Sequence, residues 1–416
     1  MSLSVVIPAY NQASGLRLAL SSLTTQTLPS DEFEIVLVDD CSTEDLAAEA
    51  AHFSDVLDIR YLRNEENLGR ARTRNRGIAI ARHDDLLLLD ADSFCAPDLL
   101  ARHDRFADRA DGHILLGRRL EPEWDTLAEL TAGRFPSGHG ALEEDPRYQL
   151  GFEPDVFPSS RTPWLFAYCN NMSVSRKLLD TVGGFNEDFR RWGYEDNELA
   201  YRIFLHQGRG SGYFEYDPAA LTYHLPHYRD WRADWAGAQG YVPYMKDRYR
   251  HFDVELLGAP PLRVARAVPH YERCLDTMRG GGVVRGAAVA AALPKAEREL
   301  WFGFGVDRTG VRCDHGDPPD EDNRHLLGVS TPFADGSFDR VVNVDLWRML
   351  NAADMSALLL EGLRVGAEVV LVWSTALDAP VATDPEYVTA MLRPHCRLVA
   401  EGDDGRGFAL LRCLPL

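Results

Sequence analysis

The sequence has few cysteines, no long uninterrupted apolar run and no basic flank near its start. Its seven cysteines are odd in number and contain no CxxC pair, so we expect a reducing compartment and neither a disulfide framework nor a zinc site. No stretch approaches the ~20 apolar residues that span a bilayer. The apolar run at residues 3–7 is too short for a signal peptide. We therefore expect a cytoplasmic protein without a membrane span.

An excess of positive charge is also missing, which excludes several partners. The 416 residues include 44 Lys and Arg against 64 Asp and Glu, a formal net charge of −20. Nucleic acid and anionic membranes are therefore not expected partners. A phosphate could be bound only with the help of a cation or a local cluster of arginines. The length and a hydrophobic fraction of 45% predict two or three globular domains.

Two common nucleotide-binding motifs are absent as well. No GxGxxG follows the first predicted strand, which disfavours a nicotinamide or flavin site, and no GxxxxGK[ST] P-loop occurs. A GxGxG at residues 208–212 follows a predicted helix and precedes a strand, so we interpret it as a turn.

What the first hundred residues do contain is a regular alternation of apolar runs and helical patterns. Strands are predicted at residues 3–7, 34–38, 57–62 and 84–89, with helices between them. One helix is introduced by Ser42 and Asp45, which have the spacing of a capping box, and another covers residues 68–81. This alternation predicts an α/β fold, a mainly parallel sheet with helices on both faces.

Beyond residue 112 the pattern becomes less regular. Residues 112–165 are predicted as long loops with short helices, followed by a strand at 168–174 and helices at 176–182, 195–206 and 230–252. Gly258, Pro260 and Pro261 indicate a linker, and a smaller C-terminal α/β region begins near residue 290.

Polar residues follow three of the predicted strands at their carboxyl ends, where open α/β sheets bind ligands. They are Tyr10 and Asn11, after Pro8 and Ala9 at the end of the first strand, the pair Asp39 and Asp40 after the second, and Asp90 and Asp92 after the fourth. If strand geometry persists, Asp90 and Asp92 point the same way. Two convergent carboxylates need a cation, and oxygen ligands favour Mg²⁺ or Mn²⁺.

A second cluster, residues 190–196, combines aromatic and acidic side chains. Gly193 permits a sharp turn, after which Glu195 and Asp196 would lie in the first turn of a helix. Such acids could be plain capping groups beside an aromatic staple. They could also include a general base that deprotonates an acceptor hydroxyl.

Five stretches taken together resemble family 2 glycosyltransferases of the GT-A fold over residues 2–235. These are residues 5–11, 36–42, 67–77, 87–92 and 169–202. Residues 183–189, with the tryptophan and the Glu195–Asp196 pair that follow, are especially similar to the acceptor half of galactosyltransferase-type and chondroitin-polymerase-type relatives.

The resemblance implies a role for each matching residue. The nucleoside, a uridine, would be held by Pro8, Tyr10, Asp39 and Asp40. Near its base and phosphates would lie Asn67, Gly69 and Arg74. Asp90 would face the ribose, and Ala91 beside it would also contact the nucleotide sugar. Asp196 would be the base, and Glu195 would help hold the sugar or the acceptor. Trp192 and Gly193 would form part of the acceptor wall.

The resemblance further implies a metal ligated by Asp92 and by a histidine after the last sheet strand. His224 fits that place best, and His227 is the second choice. The expected reaction transfers a hexosyl group from a nucleotide-diphosphate sugar, with Mn²⁺ or Mg²⁺ and inversion at the anomeric carbon. Membrane spans and a processivity motif are not found, so we expect a single addition to a soluble glycan, peptide or small natural product.

The C-terminal region is similar to the late strands of class I methyltransferases at residues 331–344, 359–364 and 369–373. Gly303 and Gly305 lie near the place of the S-adenosylmethionine loop, but no clear acid follows at the usual distance. We therefore expect a non-catalytic methyltransferase-like domain that serves packing, homodimerisation or acceptor docking. The expected domains are residues 1–235, a helical extension and linker at 236–295, and 296–416.

Three alternative functions remain open at this point. A bifunctional glycosyl- and methyltransferase needs a methyl-donor site, and a non-catalytic nucleotide-sugar scaffold would not need the acidic pairs. A nucleotidyltransferase usually begins with a glycine-rich loop bearing Arg and Lys, which residues 5–12 do not provide.

Overall fold

A computed structural model describes residues 3–107, 112–138, 140, 143–306, 311–320, 322–377 and 384–416. The chain divides into two compact units, residues 1–241 and 242–416. Each unit contains its own β-sheet with flanking helices.

The first unit is built on an eight-stranded sheet with the strand order β3-β2-β1-β4-β7-β6-β8-β5. The pairs β1–β2, β2–β3, β1–β4 and β6–β8 are parallel, and β4–β7, β6–β7 and β5–β8 are antiparallel. The strands are β1 (Leu3–Ala9), β2 (Phe33–Asp39), β3 (Ile59–Arg63), β4 (Asp85–Leu89), β5 (Ser93–Cys95), β6 (Ile114–Leu120), β7 (Asn171–Ser175) and β8 (Phe214–His224).

Helices cover both faces of this sheet. They are α1 (Ala13–Leu23), α2 (Leu46–Ala51), α3 (Arg70–Ile80), α4 (Leu99–Ala107), α5 (Trp124–Thr131), α6 (Pro146–Gln149), α7 (Arg176–Val182), α8 (Glu195–His206) and α9 (Trp231–Gln239). On one face, Leu16 and Leu20 of α1 share a core with Val5 and Ile7 of β1. On the other face, α3 approaches Val6 closely at Gly77. The central strands are therefore apolar on both sides, as in buried parallel sheets.

The predicted fold class is confirmed. β1, β2 and β4 end at Ala9, Asp39 and Leu89, and their parallel register brings these ends to one edge of the sheet. The predicted helices at residues 176–182 and 195–206 have the bounds of α7 and α8. Residues 208–212 form the predicted turn, with Gly208 at φ +64°.

Three local predictions were wrong. Residues 112–165 contain a sheet strand, β6, whose hydrogen bonds to β7 and β8 come from residues ~50–100 positions away and leave little local signal. The capping box is not formed, because the N-cap of α2 is Asp45, which accepts from the Ala48 N–H, while Ser42 accepts from the Asn11 N–H. Residues 230–252 form three helices instead of one, separated near residues 240 and 250.

The second unit has a six-stranded sheet in the order β10-β9-β11-β12-β14-β13, with β14 antiparallel to both of its neighbours. Pro260 and Pro261, predicted as a linker, begin a 20-residue helix, because proline is tolerated in a first helical turn. The strands of the second unit are β9 (Glu299–Gly303), β10 (Val311–Asp314), β11 (Arg340–Val344), β12 (Val369–Ser374), β13 (Arg397–Glu401) and β14 (Phe408–Leu414). Its helices are α10 (Val242–Tyr249), α11 (Phe252–Glu255), α12 (Pro261–Gly280), α13 (Gly286–Ala292), α14 (Ala352–Val365) and α15 (Pro385–Leu392).

Over the described ranges, no helix combines the length and the apolarity that crossing a membrane requires.

Candidate active site

A cleft of about 210 Å³ opens at the carboxyl edge of the first sheet. Nine residues selected from the sequence line it: Pro8, Tyr10, Asp40, Asn67, Gly69, Asp90, Ala91, Asp92 and Trp192. Five further residues complete the lining: Ala9, Gln12, Arg70, Thr73 and Arg190. The lining comes from segments separated by more than 180 residues in the sequence, which the sheet edge brings together.

Asp92, which lines the cleft, belongs to a cluster of one carboxylate and two imidazoles. Ligand atoms of Asp92, His224 and His227 all lie within 4.8 Å of one another. The Asp92 Oδ2 atom is 3.4 Å from His224 Nε2 and 3.0 Å from His227 Nδ1. Pairing of β5 with β8 creates this geometry, because Ser93 lies opposite His224 and the Leu225 N–H donates to the Asp92 carbonyl.

This cluster fits a divalent metal ion. The buried Oδ1 atom of Asp92 has no hydrogen-bond partner among the described residues, so it keeps a free lone pair. Burial opposes ionisation of Asp92, but the two neighbouring imidazoles hold its pKa well below the usual range. His224 Nδ1 lies 3.0 Å from a carboxylate oxygen of Glu121, an outer contact that orients metal-binding histidines. Glu121 was missed from the sequence because it follows β6, itself an unpredicted strand.

Asp90 does not converge with Asp92 on a shared cation, contrary to the strand-alternation prediction. β4 ends at Leu89, so the two acids lie beyond the strand, and Asp90 instead binds the guanidinium of Arg74 at 2.9 Å. Asp90 still lines the cleft.

Arg74 is buried beneath the cleft and does not line it. Its guanidinium also contacts Asp196 at 3.0 Å and Glu195 at 3.6 Å. Burial disfavours this charge, yet the carboxylates of Asp196 and Asp90 raise the Arg74 pKa above its ordinary value. Arg74 thus joins the acid at the sheet edge to the two acids that begin α8.

Glu195 and Asp196 stand in the first turn of α8, as predicted, and occupy different environments. One Asp196 oxygen pairs with Arg74, and the other accepts from the Cys169 N–H at 3.1 Å; the side chain remains 18% exposed. Glu195 is buried and accepts from the Gly193 N–H at 2.9 Å. Burial and the adjacent Asp196 charge raise the Glu195 pKa. Of the two, Asp196 is the one whose carboxylate has access to solvent.

The Asp39–Asp40 pair divides into an internal and a cleft-facing acid. Asp39 is fully buried and accepts from Tyr61 and Arg63. Burial opposes its ionisation, but bonds from Ser42 and Tyr61 and the Arg63 charge lower its pKa. Asp40 lines the cleft and accepts from the Leu68 and Gly69 N–H groups, which fixes the loop that leads into α3.

Two arginines missed from the sequence, Arg70 and Arg190, bring positive charge to the cleft. Their segments come together because Gly69, the residue before Arg70, has φ +82° and allows the Arg190 carbonyl to approach; a Cβ at Gly69 would lie 2.4 Å from that oxygen. Because arginines are common in any sequence, no local pattern singles out Arg70 and Arg190. Only the tertiary contact between Gly69 and the Arg190 carbonyl distinguishes them. They form the local arginine cluster that binding of a phosphate by so acidic a chain requires.

Trp192 lines the cleft, and Gly193 follows it in the loop that leads into α8. Gly193 has φ +115°, and a Cβ there would lie 2.4 Å from Ala238 of α9, so the predicted sharp turn also allows α9 to pack against this loop. The Arg229 guanidinium lies 4.8 Å from the centre of the Trp192 ring.

In the second unit, Gly305 and Val306, which follow β9, are hydrogen-bonded to the end of β10. Asp314, at the end of β10, accepts from the N–H groups of Gly305, Val306 and Gly316 at 2.8–3.0 Å. An acid does therefore face Gly305, contrary to the expectation that no clear acid follows these glycines. Because its carboxylate bonds the loop amides themselves, these described residues do not form an open methyl-donor site.

Two protein-family models match parts of the first unit. Residues 4–183 match the family model described as glycosyl transferase family 2, and residues 162–227 match the model described as the N-terminal domain of galactosyltransferase. Both matches fall in the first unit and include the segments that line the cleft.

Several characterised proteins are similar to part of the chain. A validoxylamine A glucosyltransferase of Streptomyces hygroscopicus is 35% identical over 225 residues, covering 49% of this chain and 51% of that protein. A chondroitin synthase of Pasteurella multocida is 28% identical over 224 residues, covering 49% of this chain and 23% of that protein. The chain therefore spans about half or less of the length of these relatives.

Among solved structures, a mannosyltransferase of Pyrobaculum calidifontis in complex with GDP-Man and Mn²⁺ gives a TM-score of 0.44 at 19% identity, covering 70% of this chain and 78% of that one. Staphylococcus aureus TarS in complex with UDP-GlcNAc gives a TM-score of 0.42 at 19% identity. The match covers 55% of this chain and 60% of that one.

Proposed function

We propose, on the premise that residues 4–183 are a glycosyl transferase family 2 domain, that this protein is a metal-dependent glycosyltransferase. It transfers a hexosyl group from a UDP-sugar to an acceptor hydroxyl, with inversion at the anomeric carbon. The relatives with sequence similarity are named as a glucosyltransferase and as a glycan synthase, which supports this class of reaction.

One observation carries the proposal: Asp92, which lines the cleft, meets His224 and His227, and Asp90, which also lines the cleft, is joined through Arg74 to the acid Asp196. A metal bound there would neutralise the charge that develops on the departing diphosphate. We assign Asp92 and His224 as ligands and add His227, because all three offer atoms within 4.8 Å. Two imidazole nitrogens depart from the all-oxygen sites that Mg²⁺ prefers, so we propose Mn²⁺.

The cleft divides into a donor side and an acceptor side. On the donor side, Pro8, Tyr10, Asp40 and Asn67 would hold the nucleoside, with Tyr10 half-exposed and available for stacking. Arg70 and Arg190 would bind the diphosphate from the side opposite Asp92. Asp39 and Arg74 do not line the cleft and would act by positioning other residues. Asp39 accepts a hydrogen bond from Tyr61. Arg74 pairs with Asp90, Glu195 and Asp196.

On the acceptor side, Asp196 would accept the proton from the attacking hydroxyl. Its carboxylate is held by Arg74 and the Cys169 N–H, so its position is set before the acceptor binds. The acceptor hydroxyl, deprotonated by the base, would attack the anomeric carbon from the acceptor side, and the nucleoside diphosphate would leave on the donor side. Such a single displacement inverts the anomeric centre. Glu195 would hold the Gly193 turn and thereby place Trp192.

The remaining regions have proposed roles as well. We propose residues 1–235 as the catalytic domain, 236–295 as a helical extension and linker, and 296–416 as a methyltransferase-like, non-catalytic domain that supports dimerisation or acceptor docking. The proposed location is the cytoplasm.

The test is a thermal-shift panel of nucleotide sugars with Mn²⁺, with Mg²⁺ and without metal, followed by mass spectrometry of the products. The expected result is stabilisation by a UDP-sugar that requires metal and is larger with Mn²⁺. Asp92→Ala should abolish the metal-dependent part, and Glu121→Gln should weaken Mn²⁺ binding about 10–100-fold.

Asp84→Ala is the matched control. Asp84 lies just before β4, the strand that Asp92 follows, and its side chain is 88% exposed. It should leave the metal-dependent shift intact. Metal-dependent stabilisation that persists in Asp92→Ala would remove Asp92 from the metal site, and the absence of any transferred sugar across the donor panel would contradict the proposed activity.

A further inference from the structure

Three large aromatic side chains are exposed together beside the cleft. Tyr228, Trp231 and Trp235 are 91%, 61% and 57% exposed. Trp231 and Trp235 lie four residues apart in α9, so they share one face of the helix and are separated by about 6 Å along its axis. We refer to Tyr228, Trp231 and Trp235 as the aromatic ledge. All three follow residue 227, where the second family match ends.

The aromatic ledge is continuous with the rim of the cleft. The Trp231 ring meets the Trp192 ring edge to face at 6.2 Å, and Trp192 lines the cleft. The Arg229 guanidinium lies 4.1 Å from the centre of the Trp231 ring and 4.8 Å from that of Trp192. A ligand that leaves the cleft past Trp192 therefore meets Trp231 next.

The helix that carries the ledge is fixed to the segment that leads to the candidate base. Ala238 of α9 fills the space over Gly193. The Tyr241 hydroxyl accepts from the Arg191 N–H at 2.9 Å, and the Tyr241 ring stacks on Phe189 at 4.5 Å. The exposed rings are thus held at a set position relative to Asp196, the second residue of α8, which follows Gly193 by three positions.

The chemistry of the ledge favours a carbohydrate over a purely apolar partner. Flat aromatic rings stack on the C–H face of a pyranose, while neighbouring polar groups bond its hydroxyls. Those polar groups are present: Arg229 pairs with Asp234 at 3.3 Å, and Asp230 and Arg232 flank them. Two acids and two arginines balance, so this segment lacks the positive excess that draws a protein to an anionic membrane.

We propose that the aromatic ledge is an acceptor subsite for a saccharide chain of at least two pyranose rings, with Trp231 and Trp235 each stacking on one ring. The inference rests on the proposed glycosyltransferase function and narrows its acceptor to a glycan. Because Trp231 and Trp235 lie about 6 Å apart along the helix axis on one face, consecutive pyranose rings of one saccharide chain can contact both residues together.

The test is an array of immobilised neutral and acidic oligosaccharides, probed with labelled full-length protein. The wild type should bind a subset of oligosaccharides. Trp231→Ala/Trp235→Ala should bind that subset at least tenfold more weakly and should retain metal-dependent UDP-sugar binding in calorimetry. Trp124→Ala is the matched control, because Trp124 is 87% exposed on α5; it should bind the array as the wild type does.

Asp92→Asn separates this inference from the proposed function. It should lose metal-dependent donor binding and keep array binding. If donor binding fails in the wild type while array binding depends on the ledge, the proposed reaction falls and the saccharide subsite stands. Absence of array binding by the wild type, or equal binding by the double variant, overturns the subsite. Ledge-dependent binding to anionic vesicles or ledge-dependent self-association in sedimentation, without array binding, also overturns it and assigns the ledge to that other partner.

Discussion

The Arg74 guanidinium lies 3.0 Å from the Asp196 carboxylate, and this buried ion pair joins α3 to the start of α8. The same guanidinium binds Asp90 at the sheet edge. A single side chain thus holds the donor side and the acceptor side of the cleft in register.

Removing Arg74 should damage both stability and activity. Arg74→Met leaves three partly or fully buried carboxylates without their cation, which should lower the free energy of unfolding by about 3–5 kcal/mol. Urea unfolding would measure the loss. Arg72→Ala, two positions away, removes a half-exposed pair with Glu187 and should cost less than about 1 kcal/mol. Equal losses in the two variants would contradict the central role of Arg74.

Asp196→Asn should separate binding from chemistry. The amide keeps the shape and can still accept from the Cys169 N–H, but it cannot accept a proton, so turnover should fall about 10²–10⁴-fold while the Kd of the donor stays near that of the wild type. Steady-state kinetics and calorimetry would test this. Asp188→Asn changes an exposed acid of the same segment and should remain active. Retained transfer in Asp196→Asn, with loss in Glu195→Gln, would assign the base to Glu195.

A buried histidine away from the cleft should make the first unit sensitive to acid. The His103 ring contacts Ser173 and Asn171, and burial lowers its pKa to about 4. The unfolded chain binds a proton at this residue below its ordinary pKa of 6.5, whereas the native state stays neutral. This contribution to stability is complete above pH 6.5 and is lost as the pH falls towards 4.

Between pH 7 and pH 5 that difference amounts to about 2 kcal/mol. Denaturant titrations at both pH values should show a smaller pH-dependent loss in His103→Gln than in the wild type, together with lower stability at pH 7. His206→Gln, at an exposed position in α8, should keep the pH dependence of the wild type. An unchanged pH dependence in His103→Gln would rule out this source of acid sensitivity.

The second unit should not bind S-adenosylmethionine. The amide donors of Gly305, Val306 and Gly316 already bond Asp314, so calorimetry of the full chain should show no heat of binding with this cofactor. A UDP-sugar with Mn²⁺, titrated into the same sample, serves as the positive control. Tight binding of S-adenosylmethionine would restore the bifunctional alternative.

Local patterns in the sequence were sufficient for the first four strands and for several helices of the first unit. The apolar runs at residues 3–7 and 34–38 are strands because their side chains are buried on both faces of a parallel sheet. The helix bounds at 176–182 and 195–206 follow from capping by Ser175 and from the Gly193 turn, both of which are local. The place of Asp92 after a buried strand also needed no tertiary information.

The tertiary structure alone decided which partners these residues meet. Asp92 and His227 are 135 positions apart, and only the β5–β8 pairing brings them within 3.0 Å. β6 escaped prediction because its hydrogen bonds are supplied by β7 and β8. Arg74, expected near the phosphates, lies beneath the cleft because Asp90 and Asp196 converge on it from different elements. Periodicity reports which face of an element is buried, but it contains no information on which distant charge lies opposite.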